Sequence, residues 1–180
     1  MTLTRMTKLY KLPDTISTIG LRPITKEDCP TAFDLLNNYL KKFKLYMQFS
    51  LEDFEYWFSM REEIIDCYVV EDPDTHQITD MVSFYHLSSS VLNNPKHQIL
   101  KVAYSWYTVS TKTPICELMK DILIIAHKKN FDVFNCLDIH DNNIFLEELK
   151  FVSGNGSLKY YLYNWLTKPI ESNEVGIVLL

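Results

Sequence analysis

Hydrophobic side chains recur at every second position near the end of the chain, as they do in β-strands. Over residues 157–165 (SLKYYLYNW) apolar or aromatic groups occupy both faces, which predicts a strand that is covered on both sides. The preceding Gly154-Asn155-Gly156 favours a tight turn or a close approach to a ligand. The final residues, 176–180 (GIVLL), are as apolar as a core strand. We therefore expect the terminal carboxylate to be drawn toward the interior, where it must be paired or functional.

Helical spacing dominates the earlier part of the chain. A polar, extended lead-in is predicted up to Gly20, followed by a short strand over residues 21–24. Residues 25–28 have the spacing of a capping box ahead of Pro30. The helix that follows repeats its apolar residues three and four positions apart. Its predicted inner face comprises Ala32, Leu36, Tyr39, Leu40 and Phe43. Ser50 is expected to cap a second, shorter helix.

The period then changes to that of strands. Residues 67–71 and 80–87 predict an antiparallel hairpin, because the turn-forming residues 72–75 (DPDT) separate them. Four further elements are predicted before the closing stretch: a strand over 100–109, a helix over 113–130 with Pro114 at its first position, a strand over 131–137 and a short helix over 142–149. About six strands and four helices in mixed order predict an α/β (α+β) layer fold with a mixed sheet.

Length and composition favour a single domain over residues 1–180. A chain of 180 residues with 47% hydrophobic content can bury roughly 70% of its unfolded surface in one core. No window approaches the roughly 18 consecutive apolar residues of a transmembrane segment. The first residues also lack the apolar core of a signal peptide, so we expect a cytoplasmic protein. The four cysteines lie far apart without a CxxC pair, which argues against a zinc site and against a disulfide framework.

Charge and glycine content disfavour two more classes of function. The net charge of −5 argues against nucleic acid as a partner and fits small molecules or cationic peptides better. The chain has only four glycines, in positions that allow neither a P-loop nor a dinucleotide GxGxxG motif. A free-standing acetyltransferase would also need a glycine-containing turn that opens a helix toward the pyrophosphate. A self-contained nucleotide or coenzyme A site is therefore disfavoured.

Three groups of residues carry candidate chemistry, and each has a plainer interpretation. Residues 138–141 (DIHD) could form a metal site or an acid-base pair at a strand end, with Asp141 as a helix cap in the plainer case. Residues 88–90 (SSS) could hold a nucleophile, but they lack a GxSxG context, so a turn is the alternative. Tyr104, Trp106 and Tyr107 have the spacing of core aromatics, although a tyrosine hydroxyl at a sheet surface is also a good peptide ligand.

Several stretches together carry a family resemblance that covers essentially the whole chain. They are TKLYKLP (7–13), GLRP (20–23), TDMVSFYHL (79–87), VAYSWYTV (102–109), FDVFNCLD (131–138), LKYYLYNW (158–165) and VGIVLL (175–180). With them the chain resembles the C-terminal half of protein N-myristoyltransferase, also called glycylpeptide N-tetradecanoyltransferase. Members of that family are longer and resemble two acetyltransferase-like (GNAT-like) halves. The resemblance therefore implies a mixed, largely antiparallel sheet flanked by helices.

The resemblance implies transfer of myristate from myristoyl-CoA to the N-terminal glycine of a protein. In that family the terminal carboxylate takes a proton from the glycine ammonium, and this role falls here on Leu180. An α-carboxyl pKa near 3.5 and an α-amino pKa near 8 differ by about 4.5 units, roughly 6 kcal/mol uphill in water. Burial narrows the gap because it raises the acid's pKa and lowers the amine's. The plainer alternative is an edge strand whose carboxylate reaches solvent.

The resemblance also implies a set of peptide-binding positions. Ser89 and Tyr104 match residues that line the peptide groove, and Leu158 matches a wall of that groove. Leu179, next to the catalytic terminus, is expected to contact the peptide as well.

The loop over residues 150–156 departs from the family pattern. It matches the family's KFGxGDG signature but reads KFVSGNG. Gly156 is retained as a groove residue, whereas Val152 replaces a glycine. Asn155 replaces an acidic residue that in the family faces the incoming peptide, so we expect a weaker preference for basic peptides.

The family's acyl-CoA site and its oxyanion-stabilising amides belong to an N-terminal half that this chain lacks. We therefore expect no cofactor in this chain, with myristoyl-CoA as the co-substrate of the complete enzyme, and no turnover by the isolated chain. The expected partners are glycine-starting peptides or proteins and the N-terminal half. The alternatives are a non-catalytic peptide-binding module, favoured by Val152 and Asn155, and a free-standing acetyltransferase, which the missing phosphate turn opposes.

Overall fold

Five strands form one mixed sheet at the centre of residues 2–178, the part of the chain that the computed structural model describes. The strands in chain order are β1 (Leu21–Pro23), β2 (Leu45–Tyr46), β3 (Ile65–Glu71), β4 (Ile78–His86), β5 (Ser89–Ser90), β6 (Ile99–Leu100), β7 (Val102–Val109), β8 (Val133–Asn135) and β9 (Val175–Gly176). The α-helices are α1 (Leu3–Leu9), α2 (Cys29–Leu40), α3 (Leu51–Phe58), α4 (Ile115–Lys128) and α5 (Asn143–Leu146). Short 3-10 helices, Lys26–Asp28 and Ser172–Glu174, precede α2 and β9.

The central sheet has the spatial order β1-β3-β4-β7-β8. Its first three pairings are antiparallel, and the last, between β7 and β8, is parallel. Helices cover both faces, so alternate residues of a central strand enter different cores. In β3, Cys67 and Val69 join the core beneath α2 and α3, whereas Tyr68 and Val70 join the core beneath α4 and α5. The predicted fold class, a largely antiparallel mixed sheet flanked by helices, is confirmed.

Two predicted caps are present. The Thr25 N–H donates to the Asp28 carboxylate at 2.8 Å, as part of a capping box ahead of α2. At α3 the Asp53 N–H donates to the Ser50 hydroxyl at 3.1 Å, and the Asp53 carboxylate accepts from the Ser50 N–H. The start of α4 is one residue later than predicted, because Pro114 is the N-cap and Ile115 the first helical residue.

Two other predictions are wrong. The lead-in segment, predicted to be extended, contains α1. Residues 157–165, predicted to be a strand, pair with none of the described strands. A strand requires a neighbour for its backbone hydrogen bonds, and this segment instead leaves Tyr161, Tyr163 and Trp165 exposed by 87%, 93% and 72%. Apolar side chains do alternate on both faces of this segment, but the described part of the chain does not bury both faces.

The end of the described chain does form a buried strand. β9 pairs in parallel with β2, with Leu45 opposite Val175 and Tyr46 opposite Gly176. Val175 and Val178 are both buried in the core beneath α2 and α3. The predicted burial is therefore correct for Gly176 and Val178, but the strand itself ends at Gly176, while Leu179 and Leu180 lie outside the described residues.

Among residues 2–178, the helices are all too short or too polar to cross a membrane.

Candidate functional site

Residues 175–178, called here the terminal segment, are held by two tyrosine hydroxyls. The Tyr160 hydroxyl donates to the Ile177 carbonyl at 3.0 Å. The Val178 N–H donates to the Tyr107 hydroxyl at 3.3 Å. Tyr107 belongs to the central strand β7 and is fully buried, so it ties the terminal segment to the most rigid part of the sheet.

The surroundings of the terminal segment are aromatic and of low polarity. Burial raises the pKa of Tyr107 to about 12, with the hydrogen bond from Val178 acting in the opposite direction. Burial also raises the pKa of Tyr160 and of Tyr85. Tyr85 in turn stacks on Tyr104 with ring centroids 5.2 Å apart. With their pKa values raised, the hydroxyls of Tyr107, Tyr160 and Tyr85 are neutral at physiological pH.

A close backbone approach fixes the position of Gly176 in the terminal segment. A Cβ atom at this position would lie 2.7 Å from Cδ2 of Phe43 and 2.9 Å from both its Cβ and its Cγ. Only glycine lets the strand lie flat against that ring. The Lys44 N–H donates to the Glu174 carbonyl at 2.9 Å, and the Lys44 ammonium forms an ion pair with the Glu174 carboxylate at 2.5 Å. These two contacts hold Glu174, the residue just before the terminal segment, next to β2.

The His140 side chain packs against the aromatic rings that hold the terminal segment. Its imidazole is stacked on the Tyr107 ring at 5.5 Å and tilted against the Phe43 ring at 5.2 Å. Burial lowers the pKa of His140 to about 4, while its hydrogen bond with the Gly176 backbone and the charge of Asp141 oppose this shift. The imidazole is therefore uncharged above about pH 5, so it does not act as a cation at neutral pH.

The predicted chemistry of residues 138–141 does not assemble in the described part of the chain. Asp141 accepts a hydrogen bond from the Tyr39 hydroxyl at 2.9 Å and pairs with Lys42. It does not cap α5, whose N-cap is Asn142. Within residues 2–178 no group of three or more His, Cys, Asp or Glu side chains could hold a metal ion.

The loop just ahead of α4 already holds an anion from the same chain. The fully buried Asp80 carboxylate accepts from the backbone N–H groups of Thr111, Lys112 and Thr113 at 2.5, 2.9 and 3.3 Å. It also accepts from the Thr113 hydroxyl at 2.9 Å. A loop at a helix N-terminus is the usual place for a phosphate group, and here a carboxylate occupies that place.

The predicted peptide-binding residues fall into separate groups. Tyr104 lies in β7 and stacks on Tyr85. Ser89 lies in β5, which pairs with β6 as a small exposed hairpin, so the turn predicted for residues 88–90 is wrong. Leu179 and Leu180 lie outside the described residues.

The loop residues Asn155, Gly156 and Leu158 are all exposed. A Cβ on Gly156 would meet no atom within 4 Å, so the glycine pair makes no close approach within the described chain.

Sequence reasoning did not identify Tyr107, Tyr160 and His140 as neighbours of the terminal segment. Tyr107 was assigned to the core, which is correct, and Tyr160 to a strand. A detectable signal was the number of hydroxyl-bearing aromatics in stretches that are otherwise apolar, because a buried tyrosine usually has a hydrogen-bond partner.

Superposition on two solved structures of other proteins shows what this fold resembles. The fold is that of GNAT-like acetyltransferases: an acetyltransferase from Trypanosoma brucei superposes with a TM-score of 0.57 over 79% of this chain and 98% of its own, at 14% identity. At that identity the likeness shows the fold alone. The structure of the Saccharomyces cerevisiae N-myristoyltransferase with bound myristoyl-CoA superposes much better, with a TM-score of 0.91 and 35% identity over 99% of this chain and 51% of that one.

The chain belongs to the N-myristoyltransferase family. The model of the "Myristoyl-CoA:protein N-myristoyltransferase, C-terminal domain" matches residues 1–178. A glycylpeptide N-tetradecanoyltransferase of Arabidopsis thaliana is 48% identical over 100% of this chain and 42% of its own length. One from Bos taurus is 50% identical over 99% of this chain and 36% of its own length. The resemblance found in the sequence is confirmed, and the chain spans less than half of these relatives.

Proposed function

We propose that this chain is the half of an N-myristoyltransferase that binds the acceptor peptide and supplies the catalytic base. The observation that carries this proposal is the enclosure of the terminal segment by Tyr107, Tyr160 and the Phe43 ring. The Tyr107 side chain of strand β7 and its aromatic neighbours thus hold the terminal segment against a weakly polar wall, which supports a role for the residue that ends the chain.

The proposed role of the Leu180 carboxylate is to take a proton from the glycine ammonium of the acceptor. The free amine then attacks the thioester carbon of myristoyl-CoA, the carbon–sulfur bond breaks, and coenzyme A leaves as the thiol. Low polarity favours the first step, because it raises the pKa of a carboxylate and lowers that of an ammonium group. The upward pKa shifts of Tyr107, Tyr160 and Tyr85, which all have burial as their main cause, support such surroundings.

Two features support the proposal that another half supplies the acyl-CoA site. The loop ahead of α4 holds the Asp80 carboxylate instead of a phosphate group. The segment over 157–166 exposes large apolar side chains, including Tyr161, Tyr163 and Leu166. Exposed patches of this kind mark interaction surfaces, and the family model describes only a C-terminal domain. We therefore propose that this segment contacts the N-terminal half, which would bury its exposed apolar side chains.

The test is acyl transfer by this chain assembled with an N-terminal half from a family relative. We expect myristoyl transfer from myristoyl-CoA to a glycine-starting peptide by the assembly and none by either half alone. Adding one alanine after Leu180 moves the carboxylate, and we expect kcat/KM to fall by a factor of about 100 or more, the scale of a lost general base. One alanine added before Met1 is the matched control. Full activity with the extended C-terminus would refute the catalytic role.

A non-catalytic peptide-binding module is the second candidate, because the loop that carries Val152 and Asn155 is exposed and lacks an acidic group at position 155. In that case a glycine-starting peptide would bind with equal affinity to this chain and to the assembly, and the assembly would not transfer myristate. Titration of one peptide against both samples separates the two candidates.

Restoring a negative charge at position 155 tests the proposed contact with basic peptides. Asn155 is exposed, so Asn155→Asp should improve kcat/KM for a lysine-containing peptide relative to a neutral one by about 1 kcal/mol or less, a factor of up to about 5. Higher salt should reduce the gain. Asn38→Asp adds the same charge on the exposed side of α2 and serves as the control. An unchanged ratio of the two peptides would remove Asn155 from the groove.

A further inference from the structure

His140 is an unusual residue for the inside of an aromatic cluster. The residue is only 3% exposed, and its Nε2 atom is buried with no hydrogen-bond partner among the described residues 2–178. Its backbone adopts the left-handed conformation, with φ of 56°, which costs energy for a residue other than glycine. A leucine or methionine would fill such a site without an unpartnered nitrogen. The position of the imidazole therefore calls for an explanation beyond packing.

The imidazole touches the two groups that hold the terminal segment. It stacks on Tyr107, whose hydroxyl accepts from the Val178 N–H. It also contacts Phe43, the ring on which Gly176 lies. A change at His140 therefore acts on the contacts of both Gly176 and Val178.

The charged and titratable groups around His140 come from every neighbouring element and largely offset one another. Helix α2 contributes Tyr39, whose ring centroid lies 6.4 Å away, and Lys42, which lowers the pKa of His140, whereas Asp141 raises it. Strand β7 contributes Tyr107. Asp138 and Glu171 line the same cleft of about 340 Å³ as His140, and both are exposed. Within the part of the chain that the structure describes, a proton on His140 would therefore lie among rings, with no carboxylate hydrogen-bonded to Nε2.

We propose that His140 is a positioning residue that keeps the terminal segment docked only while its imidazole is uncharged. This inference rests on the proposed function for its catalytic consequence, but the docking itself can be measured without any activity. Protonation of His140 would favour the undocked state, in which the terminal segment has moved away and water reaches the imidazole. The protonation state of His140 would thus determine whether the terminal segment is docked, and we call this pH-dependent docking the latch.

The direction of the pH effect follows from the burial of His140. In the docked state its pKa is lowered to about 4, whereas an imidazole in water titrates near 6.5. The docked state therefore has its full stability above about pH 6.5 and loses it as pH falls toward about 4. If undocking hydrates the imidazole, the undocking equilibrium should rise about tenfold between about pH 7.5 and about pH 5.5.

Hydrogen exchange of the Val178 amide measures undocking directly, because that amide is buried and bonded to the Tyr107 hydroxyl. After correction for the intrinsic rate, we expect its protection in the 180-residue chain to fall about tenfold over this pH range. The Ile24 amide, which donates to the Cys67 carbonyl at 3.0 Å, is the reference. The nearby Asp28 has a pKa of about 2, lowered mainly by its hydrogen bond to Arg22, so it does not titrate here.

Substitution at His140 separates the latch from a general effect of acid. His140→Leu and His140→Gln, which cannot take up a proton in this range, should both remove the extra fall at Val178. His97→Gln, which changes an exposed histidine, should retain it. A fall of the same size in either His140 variant would overturn the proposal. So would a nuclear magnetic resonance titration of the unmodified chain that gives His140 an ordinary pKa near 6.5.

The assembled enzyme provides the catalytic readout. If His140 positions the chain end, the acid side of the kcat/KM profile, expressed relative to each enzyme's own maximum, should move to lower pH in His140→Leu. An unshifted acid side would overturn the catalytic consequence. If the assembly has no activity at all, the proposed function fails, whereas the exchange result at Val178 still decides whether the latch exists.

Discussion

Replacing Asp80 by alanine is expected to lower the free energy of unfolding by about 3 to 5 kcal/mol, because several hydrogen-bond donors lose one shared buried acceptor. The Asp80 carboxylate is fully buried and satisfies three consecutive backbone N–H groups, at Thr111, Lys112 and Thr113, and the hydroxyls of Thr79 and Thr113. Without it these donors lose their shared acceptor, and each of them that water cannot reach then costs about 1 to 3 kcal/mol.

Urea unfolding of the 180-residue chain measures this loss. Asp132→Ala is the matched control, because the Asp132 carboxylate accepts a single backbone hydrogen bond, from the Lys101 N–H at 2.8 Å, at an exposed position. We expect Asp132→Ala to cost about 1 kcal/mol, the scale of one ordinary hydrogen bond. If Asp80→Ala does not fold, Asp80→Asn keeps one acceptor oxygen and should give an intermediate loss. Equal losses at Asp80 and Asp132 would show that the loop ahead of α4 does not depend on the carboxylate.

The fold was predictable to the extent that its signals are local. The apolar spacing of α2 and the cap at Ser50 depend on residues within one or two helical turns. The hairpin of β3 and β4 likewise follows from alternation on either side of a turn. These elements and the fold class were predicted correctly.

The errors occur where local pattern and tertiary cover disagree. The alternation in residues 157–165 has the period of a strand, yet a strand forms only where another strand accepts its backbone hydrogen bonds. In the described part of the chain these residues lack such a neighbour. The exposed Tyr163 and Trp165 are consistent with a sequence that is adapted to surfaces beyond this chain, which periodicity alone cannot reveal.

The candidate site was predictable only through its chain end. The apolar character of residues 175–178 indicated burial, and these residues are mostly buried. The partners that hold them are distant in sequence: Tyr107 precedes Val178 by 71 residues and Tyr160 precedes Ile177 by 17. His140 was considered as a metal ligand, as an acid-base group or as a plain loop residue, whereas its surroundings are rings. Long-range contacts of this kind depend on the topology of the sheet, and a single sequence does not determine them.

Replacing Gly176 by alanine is expected to displace the terminal segment. The new Cβ would lie 2.7 Å from the Phe43 ring, closer than two carbon atoms approach, so the strand or the ring must move. Overpacking of this kind costs about 1 to 3 kcal/mol. In the assembled enzyme the larger effect is on catalysis, because a shift of about 1 Å in a reacting group can lower the rate about 100-fold. We therefore expect kcat/KM to fall by that factor, together with faster exchange of the Val178 amide.

A matched pair of variants separates crowding at Phe43 from a general effect of losing a glycine. Gly156→Ala adds the same methyl group where no atom lies within 4 Å, so it should leave both stability and exchange at Val178 unchanged. Adding Phe43→Leu to Gly176→Ala removes most of the ring that the new methyl group meets and should restore part of the lost activity and protection. Because Phe43 also contacts His140, the single variant Phe43→Leu must be measured beside the double variant. Failure of the double variant to improve on Gly176→Ala would mean that the close approach to Phe43 does not determine where the terminal segment lies.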